Sequence, residues 1–250
     1  MRNNRLKRIN FLGSPMDVAS MSETVVLIRD RILRQEFTQH VVVNVAKLVN
    51  MRKDPELAQS VTECDIINID GMGVVWGARF LGHQVPERVA GVDLFLELNA
   101  MAAEEQMPVF YLGAKPEIVE KTAAVMQAKH PQLVIAGYHH GYFWDDEQAI
   151  VEKIRQSGAK LLFVAITSPK KENFINRWQE QLGVLFVMGV GGTFDVVAGH
   201  VSRAPLWMQK AGLEWLYRVL QEPGRMWKRY LITNSRYAWL LLNEKVKPKN

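Results

Sequence analysis

The 250-residue sequence predicts an α/β fold, in which a mainly parallel β-sheet is flanked by helices and followed by a C-terminal amphipathic helical appendage. Short apolar runs alternate with segments of helical periodicity along most of the chain, as in strands joined by crossover helices. Glycine-rich turns follow several of the apolar runs, where a strand must turn sharply into a helix. After Gly199 the alternation stops, so we expect two units, residues 1–200 and 201–250.

The strands are predicted from short apolar runs that are bounded by turn residues. Residues 66–69, Ile-Ile-Asn-Ile, have the composition of a strand buried in a sheet. The complete set of predicted strands is residues 8–12, 41–43, 66–69, 109–112, 133–136, 161–166 and 184–188.

The helices are predicted where apolar residues recur at helical spacing. Pro116 suits the first position of a helix, because proline lacks an N–H that would be unsatisfied there. Ser168 is the predicted N-cap of a helix that continues through Trp178. The predicted helices of the core are residues 20–34, segments extending to 58, 91–105, a helix from 116, 146–156 and the helix to 178.

The appendage combines positive charge with tryptophan. Residues 203–250 contain ten Lys or Arg against three Glu, in a chain whose net charge is +5, and four of the seven tryptophans. Pro223 and Gly224 are expected to separate an amphipathic helix from a second basic, aromatic segment. Such helices can pack on the core, bind nucleic acid or attach to an anionic membrane. Tryptophan interleaved with cations suits the lipid headgroup region, which favours the membrane.

Composition argues against several classes of protein. The one cysteine, Cys64, rules out a disulfide framework and a cysteine-based metal site, and it fits a reducing compartment. No segment reaches the roughly 20 apolar residues that span a bilayer. Residues 1–8 are basic, but the apolar run of a secretory signal does not follow them. We therefore expect a cytoplasmic protein.

Residues 64–93 carry the strongest chemical signal. Asp70 directly follows the predicted strand at 66–69, and Gly71 allows a tight turn after it. Open α/β sheets bind ligands at the carboxyl ends of their strands, although an Asp-Gly pair is also an ordinary turn or helix cap. A polar loop that leads into a helix favours a ligand site over an ordinary turn. This loop contains Arg88, Gly91 and Asp93.

Three glycine-rich turns follow strands and can bring backbone N–H groups to a phosphate. None contains the dinucleotide fingerprint Gly-x-Gly-x-x-Gly, and the sequence has no Walker-type phosphate loop. Glycine is common in any sharp turn, but three such turns together favour a crevice for a nucleotide or nucleotide-sugar. The turns lie at Gly113, at residues 137–141, and at Gly189, Gly191 and Gly192.

The sequence offers little support for a metal site. It has no Asp-x-Asp triad that could hold a divalent cation. His139 and His140 lack the i, i+4 spacing of a helical metal site, so we expect them to serve loop structure or to hydrogen bond with substrate. The available chemistry is a carboxylate base, with arginines and lysines to balance phosphate charge. Lys171 and Glu172 open a predicted helix, either as solvated residues or as diphosphate contacts.

Several segments, in order along nearly the whole chain, resemble the WecG/TagA/CpsF glycosyltransferases. The resemblance implies a Rossmann-like α/β core with a C-terminal helical appendage that meets the membrane. It also implies inverting transfer of a sugar, from a nucleotide diphosphate donor to a polyprenyl-diphosphate-linked sugar, in exopolysaccharide or cell-envelope synthesis. The segments are Asp70-Gly71, Arg88-Val-Ala-Gly91-Val-Asp93, Tyr138-His-His-Gly141-Tyr-Phe143, Ser168-Pro-Lys-Lys-Glu172, Gly189-Val-Gly191-Gly192-Thr-Phe-Asp195, Arg203-Ala-Pro205 and Leu213-Glu-Trp215.

The resemblance implies that Asp70 is the catalytic base and that Arg88 binds a substrate phosphate. Two positions depart from the family pattern: Val42 replaces the threonine of Thr-x-Asn, and Lys171 replaces a glutamine. We also expect the appendage arginines to face a diphosphate. The predicted substrate-binding set is Asn44, Gly71, Gly91, Asp93, Gly113, Lys171, Glu172, Gly189, Gly191, Gly192, Asp195, Arg218, Arg225 and Arg229.

The sequence is thus interpreted as an inverting, metal-independent glycosyltransferase that needs no cofactor and attaches peripherally to the inner face of the cell membrane. UDP-ManNAc, its uronic acid UDP-ManNAcA and UDP-glucose all remain open as donors, and no nucleic acid partner is expected. Two alternatives are kept: another nucleotide-sugar enzyme, such as an epimerase or dehydrogenase, and a non-catalytic module that binds membrane or nucleic acid through the basic appendage.

Overall fold

The computed structural model describes residues 6–246, apart from the side chain of Arg225, and its centre is an eight-stranded sheet. The strands of this described region are β1 (Lys7–Phe11), β2 (Ser14–Val18), β3 (Thr38–Val43), β4 (Ile66–Ile69), β5 (Val109–Gly113), β6 (Ile135–His139), β7 (Leu161–Ala165) and β8 (Phe186–Gly189).

The sheet is parallel except at one edge. Its strand order is β1-β2-β4-β3-β8-β7-β5-β6, and only β1 and β2 pair antiparallel among the described strands. The carboxyl ends of the parallel strands therefore lie along one edge of the sheet. We call this the carboxyl edge, and it is where such sheets bind ligands.

Helices cover both faces of the sheet, as the alternation of buried side chains along β7 shows. Leu161 and Phe163 pack into one core cluster, while Leu162 and Val164 pack into another on the opposite face. Because both of its faces are buried, β7 is continuously apolar rather than alternating with polar residues. The predicted Rossmann-like α/β fold is confirmed.

Helices occupy most of the connections between strands. Those of the core are α1 (Met21–Leu33), α2 (Val45–Met51), α3 (Pro55–Thr62), α4 (Met72–Phe80), α5 (Gly91–Glu104), α6 (Pro116–Lys129), α7 (Glu147–Gln156), α8 (Lys170–Trp178) and α9 (Thr193–Val197). The appendage contributes α10 (Leu206–Lys210), α11 (Glu214–Gln221) and α12 (Pro223–Val246).

Strand β2 was not predicted from the sequence. Its pairing with β1 places Phe11 opposite Ser14, and the two turn residues Leu12 and Gly13 both have positive φ. This geometry is typical of a two-residue hairpin turn. A proline and an aspartate interrupt the β2 sequence, and the buried Asp17 is stabilised there by two 2.8 Å hydrogen bonds from Arg8. This tertiary contact is why the apolar pattern missed the strand.

Three predicted boundaries need correction. Strand β3 begins at Thr38 rather than at 41, and β6 is shifted toward the carboxyl edge, so that His139 ends the strand. Ser168 was wrongly predicted as an N-cap: α8 begins at Lys170, Pro169 occupies the N-cap position, and no side chain caps the helix. The backbone N–H of Lys171 is instead satisfied by the Thr167 carbonyl at 3.2 Å.

The long helix α12 packs against α2 and α4 of the core. The hydroxyl of Tyr237 donates a 2.9 Å hydrogen bond to the Gly73 carbonyl, and the ring is buried beside α4. A Cβ at Gly77 would lie 2.0 Å from that hydroxyl, so glycine is required for this close approach. Pro223 begins α12 directly after α11 instead of opening a longer break, because proline is well tolerated at a helix start.

Candidate functional site

Asp70 lies at the carboxyl edge, where β4 ends. Its backbone N–H donates to the Val43 carbonyl of β3 at 2.9 Å, and the Val89 N–H donates to the Ile69 carbonyl at 2.9 Å. Gly71 then turns the chain into α4 with φ of 91°, a conformation that favours glycine. The Asp70 carboxylate is therefore held on a rigid backbone between two neighbouring segments.

Burial raises the pKa of Asp70 above its ordinary value. Arg88 opposes this rise, Glu214 adds to it, and Arg218 and Lys47 act in the same direction as Arg88. A carboxylate with a raised pKa is a stronger base than a solvated one, which suits proton abstraction near neutral pH. Desolvation, which the neighbouring cations offset only in part, thus gives Asp70 the raised pKa that suits a general base.

Arg88 approaches Asp70 from the extended segment 83–90 and forms an ion pair with Glu214 of α11. Arg203, just before α10, binds the Asp93 carboxylate through two hydrogen bonds of 2.5 and 2.8 Å. Arg203 Nε also lies 3.5 Å from the second oxygen of Glu214. Asp93 stays a predicted substrate-binding residue, and the contact of its carboxylate with Arg203 joins the core to the appendage.

Asn44 and Gly91 line the same edge with different local roles. Asn44 caps α2, since its side-chain oxygen accepts the Lys47 N–H at 3.0 Å. A Cβ on Gly71 would lie 4.0 Å from that of Asn44, so the two residues are neighbours. Gly91 opens α5, and a Cβ there would make ordinary contact with Val42 at 3.5 Å. Val42 therefore packs at the position where the related pattern has a hydroxyl.

A buried cluster of three charges links α2 and α8 at this edge. The Nζ atoms of Lys47 and Lys171 lie 2.8 and 2.7 Å from the same oxygen of Glu172. Lys47 also donates to the Val42 carbonyl at 2.8 Å. Neither Lys171 nor Glu172 is a solvated first-turn residue, because both are less than 10% exposed.

The charges of this cluster shift one another's protonation. Burial and Lys47 lower the pKa of Lys171 to about 8. Burial disfavours the ionised form of Glu172, but Lys47 and Lys171 outweigh it and lower its pKa to about 2. Gly189 makes room for the cluster, since a Cβ there would lie 2.9 Å from two carbons of the Lys171 side chain.

The other predicted glycine turns serve two purposes. Gly113 has φ of 121°, and a Cβ there would lie 2.4 Å from the Ala165 carbonyl oxygen, so it allows β5 and β7 to end close together. Gly191, with φ of 56°, and Gly192 face open space at the end of β8. Asp195 lies in the first turn of the short α9 and is half-buried.

The appendage brings cations to both sides of this edge. Arg218 of α11 lowers the pKa of Asp70, and Arg229 of α12 lowers that of Lys171. Burial is the main cause of the raised pKa of Tyr230 on α12. Both arginines lower this pKa, and Glu214 and Asp70 raise it. The side chain of Arg225 lies outside the described part of the chain.

Sequence reasoning gave no role to Lys47, Arg203, Glu214 or Tyr230. One feature of the sequence could have indicated a role for Lys47, which is the single cation in the apolar stretch that forms α2. Arg203 and Glu214 fall in segments that carried the family resemblance, but only the packing of the appendage shows that they meet Arg88 and Asp93. These contacts join residues more than 100 positions apart in sequence.

Within residues 6–246, no three His, Cys, Asp or Glu side chains are grouped so as to hold a metal ion. His139 instead hydrogen bonds through Nδ1 with the His140 carbonyl at 2.9 Å. Cys64 is a buried free thiol, and burial raises its pKa. None of the helices described here combines the length and apolarity needed to cross a membrane.

One side of α12 is apolar and open to solvent. Trp239 is 63% exposed and Leu242 is 59% exposed, unlike the buried Tyr237 on the opposite side of the helix. Lys228 and Arg236 are also exposed on α12. We call the exposed apolar residues of this helix the α12 face, and its members are Trp227, Leu231, Ile232, Trp239, Leu242 and Val246.

A model of the glycosyl transferase WecG/TagA/CpsF family matches residues 9–250. The chain is also similar to the N-acetylglucosaminyldiphosphoundecaprenol N-acetyl-beta-D-mannosaminyltransferase of Bacillus subtilis (strain 168), with 33% identity over 197 residues, or 79% of this chain and 76% of the relative. The family model covers both the core and the appendage, including every site residue described above. This chain therefore belongs to the WecG/TagA/CpsF family of glycosyltransferases.

Proposed function

We propose that this glycosyltransferase moves a sugar from a UDP-sugar to a polyprenyl-diphosphate-linked saccharide, with inversion and with Asp70 as the general base. The observation that carries the proposal is the Asp70 carboxylate, held at the carboxyl edge with a raised pKa and with Arg88 and Arg218 nearby. The relative from Bacillus subtilis supports the acceptor class, since its name specifies an N-acetylglucosamine on diphosphoundecaprenol.

In the proposed reaction an acceptor hydroxyl attacks the anomeric carbon of the donor. Asp70 accepts the hydroxyl proton, a new C–O bond forms, and the bond from the anomeric carbon to the UDP oxygen breaks on the opposite side. UDP leaves with the electron pair of that bond. Because the hydroxyl attacks on the face opposite the leaving UDP, the anomeric centre is inverted. One carboxylate base suffices for this single displacement.

The departing diphosphate gains negative charge, and the proposal assigns its stabilisation to the appendage cations. Arg218 and Arg229 approach the edge from two helices, and guanidinium groups bind phosphate oxygens through paired N–H groups. We propose that these cations take the place of a metal ion. UDP-ManNAc, UDP-ManNAcA and UDP-glucose are the candidate donors.

The proposal also places the enzyme at an anionic membrane surface, on the side facing the cytoplasm. The α12 face carries exposed tryptophan and leucine beside the cations Lys228 and Arg236. Apolar side chains can enter the headgroup region while such cations pair with lipid phosphate. Docking there brings the carboxyl edge close to an acceptor whose lipid tail stays in the bilayer.

The deciding experiment is a transfer assay with detergent-solubilised N-acetylglucosamine on diphosphoundecaprenol, a panel of UDP-sugars, and EDTA throughout. We expect acceptor-dependent release of UDP with one donor, and a loss of about 10²-fold to 10⁴-fold in Asp70→Asn. Asp30→Asn is the matched control and should keep its activity, since it makes the same change on α1, away from the carboxyl edge. Full activity of Asp70→Asn would rule out the proposed base, and dependence on added metal would rule out the cation mechanism.

A further inference from the structure

The Arg88 guanidinium is paired with one carboxylate and acts electrostatically on a second. Glu214 of α11 forms a direct ion pair with it, and Asp70 lies close enough for Arg88 to lower its pKa. The Arg88 side chain is only 14% exposed, so the competition takes place in a partly desolvated site where charges interact strongly. The position of Arg88 therefore depends on the balance between these two acids.

Glu214 is itself fixed by the rest of the appendage contact. Its second oxygen faces Arg203, which in turn is bound by Asp93 of α5 through two hydrogen bonds. The charges alternate in sign from Asp93 through Arg203 and Glu214 to Arg88. Such a chain holds each member in place better than an isolated surface pair does.

We propose that Glu214 is a positioning residue that holds Arg88 off the Asp70 carboxylate, and so keeps Asp70 free to accept a proton from the acceptor. This inference rests on the proposed function, because it presupposes that Asp70 is the base. Glu214 uses Nη1 of Arg88, which leaves the other guanidinium N–H groups available to a substrate phosphate. Glu214 touches neither substrate nor reacting atoms in this scheme, and it acts through Arg88.

Removal of Glu214 changes the environment of Asp70 in one direction. The charged groups that act on Asp70 are Arg88, Glu214, Arg218 and Lys47, and the Asp70 charge acts in turn on the neutral phenol of Tyr230 on α12. Without the Glu214 charge, the remaining cations are unopposed and Arg88 can pair with Asp70 directly. Both effects lower the pKa of Asp70, which weakens it as a base and ties up its oxygens.

The test compares Glu214→Gln with the wild type in the full-length protein. We expect kcat to fall about tenfold or more, and the acidic limb of kcat/KM to move about one pH unit lower, since a neighbouring cation lowers a carboxyl pKa by one to three units. Glu214→Asp keeps the charge and should restore most of both quantities. Glu152→Gln is the matched control, because it removes a carboxylate paired with Arg155 on the surface of α7.

Titration of the Asp70 carboxyl by ¹³C NMR, with Asp70→Asn for assignment, provides a readout that needs no transfer. A wild type that transfers no sugar would defeat the proposed function, while this titration would still decide the role of Glu214. If the pKa of Asp70 is unchanged in folded Glu214→Gln, the inference is overturned. A rise in kcat/KM of this variant also overturns it, because Glu214 would then inhibit the reaction. If Glu214→Gln does not fold, Glu214→Ala, which also removes the carboxylate, is titrated in its place, and an unmoved Asp70 titration again overturns the inference.

Discussion

Lys47 of α2 and Glu172 of α8 form a buried ion pair, with Nζ and Oε1 2.8 Å apart and both side chains less than 10% exposed. Lys171 contacts the same carboxylate oxygen, and Lys47 also donates to the β3 backbone just before Asn44. The cluster thus ties two helices to the strand that holds Asp70 through the Val43 carbonyl. Its integrity should affect both stability and the geometry of the carboxyl edge.

Glu172→Gln should lower the free energy of unfolding by about 3–5 kcal/mol, because it leaves two buried lysines without a counter-charge. Urea denaturation at pH 7 measures the loss. Glu152→Gln makes the same change in an exposed pair with Arg155 and should alter stability very little. Equal effects of the two substitutions would show that burial of the cluster contributes nothing.

The stabilisation by Glu172 should disappear in acid. Although burial disfavours its ionised form, Lys47 and Lys171 lower its pKa to about 2, whereas the ordinary value is 4.5. Between these values the unfolded chain binds a proton that the folded chain does not, so stability falls as the pH drops from about 4.5 toward 2. The difference in urea midpoint between wild type and Glu172→Gln should narrow over this range. A constant difference from pH 6 to pH 3 would contradict the prediction.

Lys171 should produce the opposite trend in alkali. Burial and Lys47 lower its pKa from 10.5 to about 8, so the folded protein releases this proton before the unfolded chain does. The charged lysine therefore opposes folding below pH 8, and its contribution to stability rises between pH 8 and 10.5. Lys171→Gln, which restores the amide of the family pattern, should remove this rise. Superimposable pH–stability curves of wild type and variant would refute the assignment.

Gly77→Ala should loosen the docking of α12. The added Cβ would lie 2.0 Å from the Tyr237 hydroxyl and 3.0 Å from Leu241, and such overpacking typically costs about 1–3 kcal/mol. Chemical denaturation and the rate of proteolysis within residues 223–246 measure the effect. Gly224→Ala faces open space in the same helix and should be neutral or slightly stabilising. Wild-type stability of Gly77→Ala would mean that α4 and α12 separate without penalty.

Replacing both Trp239 and Leu242 by serine should weaken binding to vesicles that contain anionic lipid. Burial of these exposed side chains in the headgroup region supplies part of the affinity, and the neighbouring cations supply a salt-sensitive part. Cosedimentation at low and high salt measures both. Val26 and Leu33 on α1 have similar exposure, and their double serine variant is the control. Equal losses in the two variants would point to non-specific adhesion.

The fold was largely predictable because its signals are local. Most of the parallel strands contain a short apolar run, and Asp70 directly follows one of these runs, so its place at the carboxyl edge follows from the rules of parallel sheets. The Asp70-Gly71 turn needed only a positive φ, which glycine supplies. The family assignment and the class of enzyme, both inferred from short motifs, are confirmed by the match over residues 9–250.

The errors occur where a distant contact overrides a local pattern. Asp17 belongs to a strand because Arg8 and the Ile67 N–H satisfy its carboxylate. The sequence left Lys171 and Glu172 either solvated or in contact with a diphosphate, and their burial depends on Lys47, more than 120 residues earlier. A charged pair in adjacent positions does not reveal whether a third charge from another helix will neutralise it.

Local sequence was enough to predict the α/β architecture, the position of Asp70 after a buried strand and the amphipathic character of the appendage, because these depend on residues close together in the chain. Which charges pair depends on contacts between distant parts of the chain. Packing of the appendage on the core brings Glu214 to Arg88 and Arg203 to Asp93, and it places Arg218 where its charge lowers the pKa of Asp70. Electrostatic interactions act through space rather than along the chain, so the properties of the base depend on this packing.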